Sequence, residues 1–124
     1  MQHFKSSDVA ESASPLSQVV RYGNTVFTAG QVAFDEHGDL VPGGIEEQTR
    51  QAFENVSRCL TAAGTSLERV IKVNAFLIDI RGDFTAFNDV YRTIFSPPFP
   101  VRTTVQAGLG AGLLVEVEVV AEID

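Results

Sequence analysis

Val70-Ile71-Lys72-Val73-Asn74-Ala75-Phe76-Leu77-Ile78-Asp79-Ile80 is the stretch on which the architecture turns. It is rich in β-branched residues, and Ile71, Val73, Ala75 and Leu77 alternate with Lys72, Asn74, Phe76 and Ile78. A two-residue period of this kind predicts a long central strand and not a helix. On its N-terminal side, Ile45, Thr49, Ala52, Phe53, Val56, Leu60 and Ala63 recur at three- and four-residue steps between Gly44 and Gly64. That is the stripe of an amphipathic helix, with Glu46 and Glu47 in the first turn where the helix dipole favours acids and Gly64 as its stop. On the C-terminal side, Asp83 reads as the cap of a second helix, whose apolar face is Phe84, Phe87, Val90, Tyr91 and Ile94 and which Pro97-Pro98 closes. Its aromatic residues read as core.

Working outward, Val19–Arg21 and Thr25–Ala33 flank the turn dipeptide Gly23-Asn24 and read as a hairpin. The loop Asp35–Gly44 follows it. Thr103–Gly108 and Leu113–Ile123 read as two closing strands. The connection between them, Leu109-Gly110-Ala111-Gly112, leads into a strand, so it lacks the helix that a glycine-rich phosphate loop requires. Residues 1–14 read as a polar, serine-rich arm, and residues 15–124 as a single domain. The predicted order is β-β-α-β-α-β-β, an α+β mixed sheet with two helices packed on one face. The opposite face carries apolar groups such as Phe76, Ile78 and Val32, which predicts a homo-oligomer.

A chain of 124 residues buries roughly two thirds of its unfolded surface and needs neither disulfide nor metal to fold. Its lone cysteine, Cys59, has no partner for a bridge, and no apolar run approaches the roughly 20 residues that span a bilayer. The expected location is cytoplasmic, with no membrane partner. Sixteen acidic against nine basic side chains leave a formal charge of −7 and no basic run, which argues against a nucleic-acid partner. His3 and His37 have no second ligand at metal-binding spacing, and no metal is expected.

Two charged residues on strand-like runs are the candidates for chemistry. Arg102, in Pro100-Val101-Arg102-Thr103-Thr104-Val105, has a guanidinium that can grip a carboxylate through two parallel hydrogen bonds. Glu116, in Leu114-Val115-Glu116-Val117-Glu118-Val119, can hold or deprotonate a water. The alternative is a cross-strand ion pair between neighbouring strands, which would do no more than support the sheet.

Six fragments, in order, carry a resemblance. Thr28-Ala29-Gly30-Gln31-Val32, Gln48-Thr49-Arg50-Gln51-Ala52-Phe53-Glu54-Asn55-Val56, Ala62-Ala63-Gly64, Phe84-Thr85-Ala86-Phe87-Asn88-Asp89-Val90-Tyr91, Pro100-Val101-Arg102 and Val115-Glu116-Val117 together resemble the Rid family, the YjgF-like reactive-intermediate deaminases. The resemblance covers nearly the whole chain after about residue 15. It implies a chorismate-mutase-like α+β fold and a homotrimer with clefts between subunits. It also implies hydrolysis of reactive 2-imino acids to 2-oxo acids and ammonia, without a cofactor. Arg102 matches the arginine that holds the substrate carboxylate, Glu116 the glutamate that positions water, and Gly30 and Asn88 two further characteristic positions.

The chain departs from the best-studied branch at Thr104, where that branch has cysteine, at Leu16 for tyrosine and at Ala29 for serine. A proline in the last loop is also absent, with Gly110 near its place. Capture of a carboxylate and one carboxylate base suffice in principle for hydrolysis of an activated imine. Leu16 and Ala29 make the pocket less polar, which favours larger or more apolar substrates, while Thr104 still offers a hydroxyl. Two functions remain open, an imine or enamine deaminase and a non-catalytic binding or regulatory protein for a 2-oxo acid or amino acid. The ribonuclease activity linked by name to some relatives is disfavoured by the acidic charge.

Overall fold

The computed structural model describes residues 1–124. Six strands and two helices follow in the order β1 (Gln2–Phe4), β2 (Val19–Tyr22), β3 (Thr25–Thr28), α1 (Ile45–Ala62), β4 (Val70–Leu77), α2 (Ile80–Ile94), β5 (Val101–Gln106) and β6 (Val115–Glu122). They form one mixed sheet with strand order β1-β2-β3-β6-β4-β5. Every pairing is antiparallel except β4 with β5, which is parallel and joined through α2. The expected α+β sheet with two helices on one face is therefore present, with one strand more than expected. Residues 2–4, read from sequence within a polar arm, pair with β2, and Val9 of the same segment is buried in the core.

Helix α1 stops where the sequence places the stop. Gly64 has φ +87°, a left-handed conformation open to glycine, and the Gly64 and Thr65 N–H groups donate to the carbonyls of Thr61 and Leu60 at 3.0 and 2.9 Å. Helix α2 starts a turn earlier than expected. Its cap is Asp79 and not Asp83, with Asp79 Oδ1 accepting from the Gly82 N–H at 3.1 Å. The β-branched residues Ile78 and Ile80 hid this start by prolonging the strand pattern. β4 accordingly ends at Leu77, and a bulge between Val70 and Lys72 takes Ile71 out of the alternation, leaving it 46% exposed.

The core lies between the helices and one face of the sheet. Val73, Ala75 and Leu77 of β4 and Val115, Val117, Val119 and Ala121 of β6 pack beneath Phe53, Val56 and Leu60 of α1 and Phe87 of α2. Phe53 meets the rings of Tyr91 and Phe95 edge-on, with centroids 5.8 and 5.5 Å away. Its truncation to alanine would cost about 3–5 kcal/mol. Phe76 points to the outer face beside the exposed Val105, and the exposed Phe27 lies further along the same face, level with Lys72, whereas Ile78 and Val32 lie beyond the strand ends. No helix is long and apolar enough to cross a membrane.

Candidate active site

β5 is an edge strand, and its parallel register with β4 sets Arg102 opposite Val73. Val73 is wholly buried beneath the helices, so Arg102 projects from the helix-covered face. There its central guanidinium carbon lies 4.6 Å from the ring centroid of Tyr91, 5.4 Å from that of Phe87 and 5.7 Å from that of Phe84. Arg102 Nη2 donates to Asn88 Oδ1 at 2.7 Å. Residues 84, 87, 88 and 91 share one stripe of α2, so a single helix face supplies the whole cradle. Each ring contributes about 0.5–2 kcal/mol of attraction, which offsets the partial desolvation of the cation without consuming its N–H donors. The ion pairs of the chain involve Lys5, His37, Arg50, Arg58, Arg69 and Arg92, and Arg102 takes part in none. A cleft of about 250 Å3 opens in front of it, walled by Asn88, Tyr91, Phe99 and Pro100.

Glu116 stands opposite Phe76, three residues along β4 from Val73, and strand alternation puts it on the other face of the sheet. Its carboxylate lies against the backbone of Gly30, where an added Cβ would sit 2.7 Å from Oε2. A side chain at position 30 would push the carboxylate out of this place. Burial, and then the charge of Glu118 two residues along the same face, push the Glu116 carboxyl above the usual range. Two buried polar residues of α1 hold the segments on either side. Gln48 donates to the Gly112 carbonyl at 2.9 Å and accepts from the Leu114 N–H at 2.8 Å, anchoring the loop that feeds β6. Asn55 donates to the carbonyls of Val32 and Phe34 at 2.9 and 2.8 Å, anchoring the chain that carries Gly30. The adjoining cleft, about 390 Å3, is walled by Val9, Leu16, Gly30, Val32 and Phe34 as well as Glu116.

The two charged candidates are thus not on neighbouring strands. β4 lies between β5 and β6. Two strand spacings and a three-residue offset separate them by about 14 Å, on opposite faces. The ion-pair alternative fails on that geometry, and so does a site made by both residues within one protomer. The remaining candidates divide between the two clusters. Asn88 belongs with Arg102, and so does Thr104, which stands opposite Ala75 on the same face with its hydroxyl buried and without a hydrogen-bond partner. Gly30 and Leu16 belong with Glu116. Ala29 lies beside that cluster without walling its cleft, its N–H donating to the Gln18 carbonyl at 2.8 Å.

Sequence reasoning missed three contributions to the site. The aromatic residues of α2, read only as core, also flank the guanidinium. The arm supplies Val9 to the Glu116 cleft. Gln48 and Asn55 act as loop anchors, and the available signal was that both interrupt an otherwise apolar helical stripe.

A family model described as Endoribonuclease L-PSP matches residues 7–123. The protein mmf2, mitochondrial, of Schizosaccharomyces pombe is 49% identical over 94 residues, covering 76% of this chain and 73% of that protein. A 2-iminobutanoate/2-iminopropanoate deaminase of Capra hircus is 42% identical over 109 residues, covering 86% and 79%. Among solved structures, RidA from the Antarctic bacterium Psychrobacter sp. PAMC 21119 superposes with a TM-score of 0.93 at 36% identity, covering 99% of this chain and all of that one. The chain belongs to the Endoribonuclease L-PSP family, the YjgF-like Rid proteins, and has their fold.

Proposed function

We propose that the protein hydrolyses 2-imino acids to 2-oxo acids and ammonia, in clefts between the subunits of a homotrimer. The observation that carries this reading is Arg102, a half-buried guanidinium cradled by three rings and one amide, with no carboxylate partner of its own. A cation held in this way suits a small anion with a planar carboxylate. Because Glu116 lies on the opposite face, the reading pairs Arg102 of one subunit with Glu116 of the next. The partly apolar outer face, with exposed Phe27, Val101 and Val105, is the surface on which the subunits meet.

In this scheme Arg102 fixes the substrate carboxylate and thereby the neighbouring imine carbon. Glu116 accepts a proton from water as the water oxygen bonds to that carbon, and the C=N electron pair moves to nitrogen. Glu116 returns that proton to nitrogen to give a carbinolamine, then takes the hydroxyl proton and passes it to nitrogen as the C–N bond breaks, so that ammonia leaves while the C=O forms. A carboxyl whose affinity for protons is raised serves both halves of the cycle better than an ordinary glutamate. No cofactor is needed, since water is the only co-reactant. Val9, Leu16 and Val32 around Glu116 suit substrates with apolar side chains, and Thr104, two residues along β5 on the same face, adds a buried hydroxyl beside the clamp.

The Arg102 cradle is complete without Glu116, and that favours a second reading, a binding protein for a 2-oxo acid. The test is an amino acid oxidase that generates imines from a panel of amino acids, with their disappearance followed alongside sedimentation equilibrium. Deamination by a trimer, lost in Glu116→Gln and in Arg102→Lys, is the expected result. Calorimetric binding of 2-oxo acids with no turnover would replace the deaminase by the binding protein, and a persistent monomer would remove the composite cleft.

A further inference from the structure

Two buried side-chain polar atoms have no hydrogen-bond partner, the Tyr91 hydroxyl and Thr104 Oγ1. Both stand beside Arg102. Tyr91 is the ring nearest the guanidinium, at 4.6 Å, and Thr104 is two residues along β5 on the same face. A buried hydroxyl without a partner weakens a fold, and phenylalanine would fill the same volume without that cost. The neighbours make the contrast concrete. Phe53, Phe87, Phe95 and Phe99 pack around Tyr91 with centroids 5.8, 5.9, 4.7 and 6.4 Å away, and none carries a hydroxyl. Tyr91 is only 5% exposed, yet it forms part of the wall of the 250 Å3 cleft in front of Arg102.

We propose that the Tyr91 hydroxyl is a second donor for the ligand carboxylate, donating to one oxygen while the guanidinium holds the other. This rests on the reading of Arg102 as a carboxylate clamp. Asn88 already engages Nη2 of the guanidinium, so the phenol supplies a donor that the occupied edge of the fork does not. Burial raises the Tyr91 pKa and the Arg102 charge opposes the rise, and the phenol remains a protonated donor at neutral pH.

Tyr91→Phe removes one oxygen and keeps the ring stack. Calorimetric titration with 2-oxobutanoate should show the variant binding about tenfold or more weakly than the wild type, the usual effect of a lost hydrogen bond to a charged group. Its thermal midpoint should stay level or rise, because an unsatisfied hydroxyl has been removed. Wild-type affinity in Tyr91→Phe, with binding lost in Arg102→Lys, would overturn the role of Tyr91 and leave the clamp standing. If the wild-type protein binds no 2-oxo acid at all, the clamp and this proposal fall together. If Tyr91→Phe weakens binding only because sedimentation shows the assembly dissociating, the hydroxyl serves a subunit contact and the proposal is refuted.

Discussion

Replacing Gly30 by alanine isolates the position of the Glu116 carboxylate from its chemistry. The backbone tolerates the change, because Gly30 is not among the glycines in the left-handed region. The new methyl would begin 2.7 Å from Oε2 and 2.8 Å from Cδ, and the ordinary contact limit is about 3.4 Å, so the carboxylate must retreat by about 0.7 Å. Misplacing a reacting group by 1 Å costs on the order of a hundredfold in rate. On the proposed deaminase reading, a shift of 0.7 Å should lower kcat by about tenfold or more, which is about 1.4–2.7 kcal/mol in the barrier. Stability moves the other way or not at all, since Glu116 ends in a flexible side chain and alanine reduces the freedom of the unfolded chain by about 0.4–1 kcal/mol. The assay is oxidase-coupled imine hydrolysis alongside thermal unfolding. Gly108→Ala serves as the control, because an added Cβ there meets nothing within 4 Å. Wild-type kcat in Gly30→Ala, in an enzyme that Glu116→Gln inactivates, would falsify the claim that the close approach of Gly30 sets the catalytic geometry.

Glu118→Gln removes the second cause of the raised Glu116 pKa, so the acid limb of the kcat/KM profile should move to lower pH, while a limb that stays in place would mean that burial alone sets it. The sign for stability follows from the same shift. A carboxyl whose folded pKa is raised binds its proton more tightly in the native state, so charged Glu116 weakens the fold at neutral pH, and the penalty is relieved as pH falls through its folded pKa toward its lower unfolded value. Glu116→Gln should then be level with or more stable than the wild type at neutral pH, with the difference shrinking on acidification. Asp79→Ala removes the cap of α2 and should cost about 1 kcal/mol in denaturant unfolding, whereas Asp83→Ala should cost less, because Asp83 caps nothing.

Local patterns carried most of the secondary structure because each needed only neighbours in the chain. The Ile45–Ala63 stripe and the Gly64 stop belong to one helix, and Gly23 with Asn24 to one turn. The errors fell where two local patterns overlapped. Ile78 and Ile80 continue a strand alternation into a helix whose cap is Asp79, and residues 2–4 carry a single apolar position, Phe4, too short a run for an alternation to show.

The candidate residues were legible as types. Arginine and glutamate on two β-rich runs have only a few uses, and the family fragments named them. Their relation was not legible. Fourteen residues separate Arg102 from Glu116 in sequence, and whether they form a pair, one pocket or two half-sites depends on which strand lies between them. That strand is β4, paired in parallel to β5 and antiparallel to β6. Register and parity are properties of a sheet assembled from distant segments, so only the tertiary structure could place the guanidinium against α2 and the carboxylate against Gly30, on opposite faces.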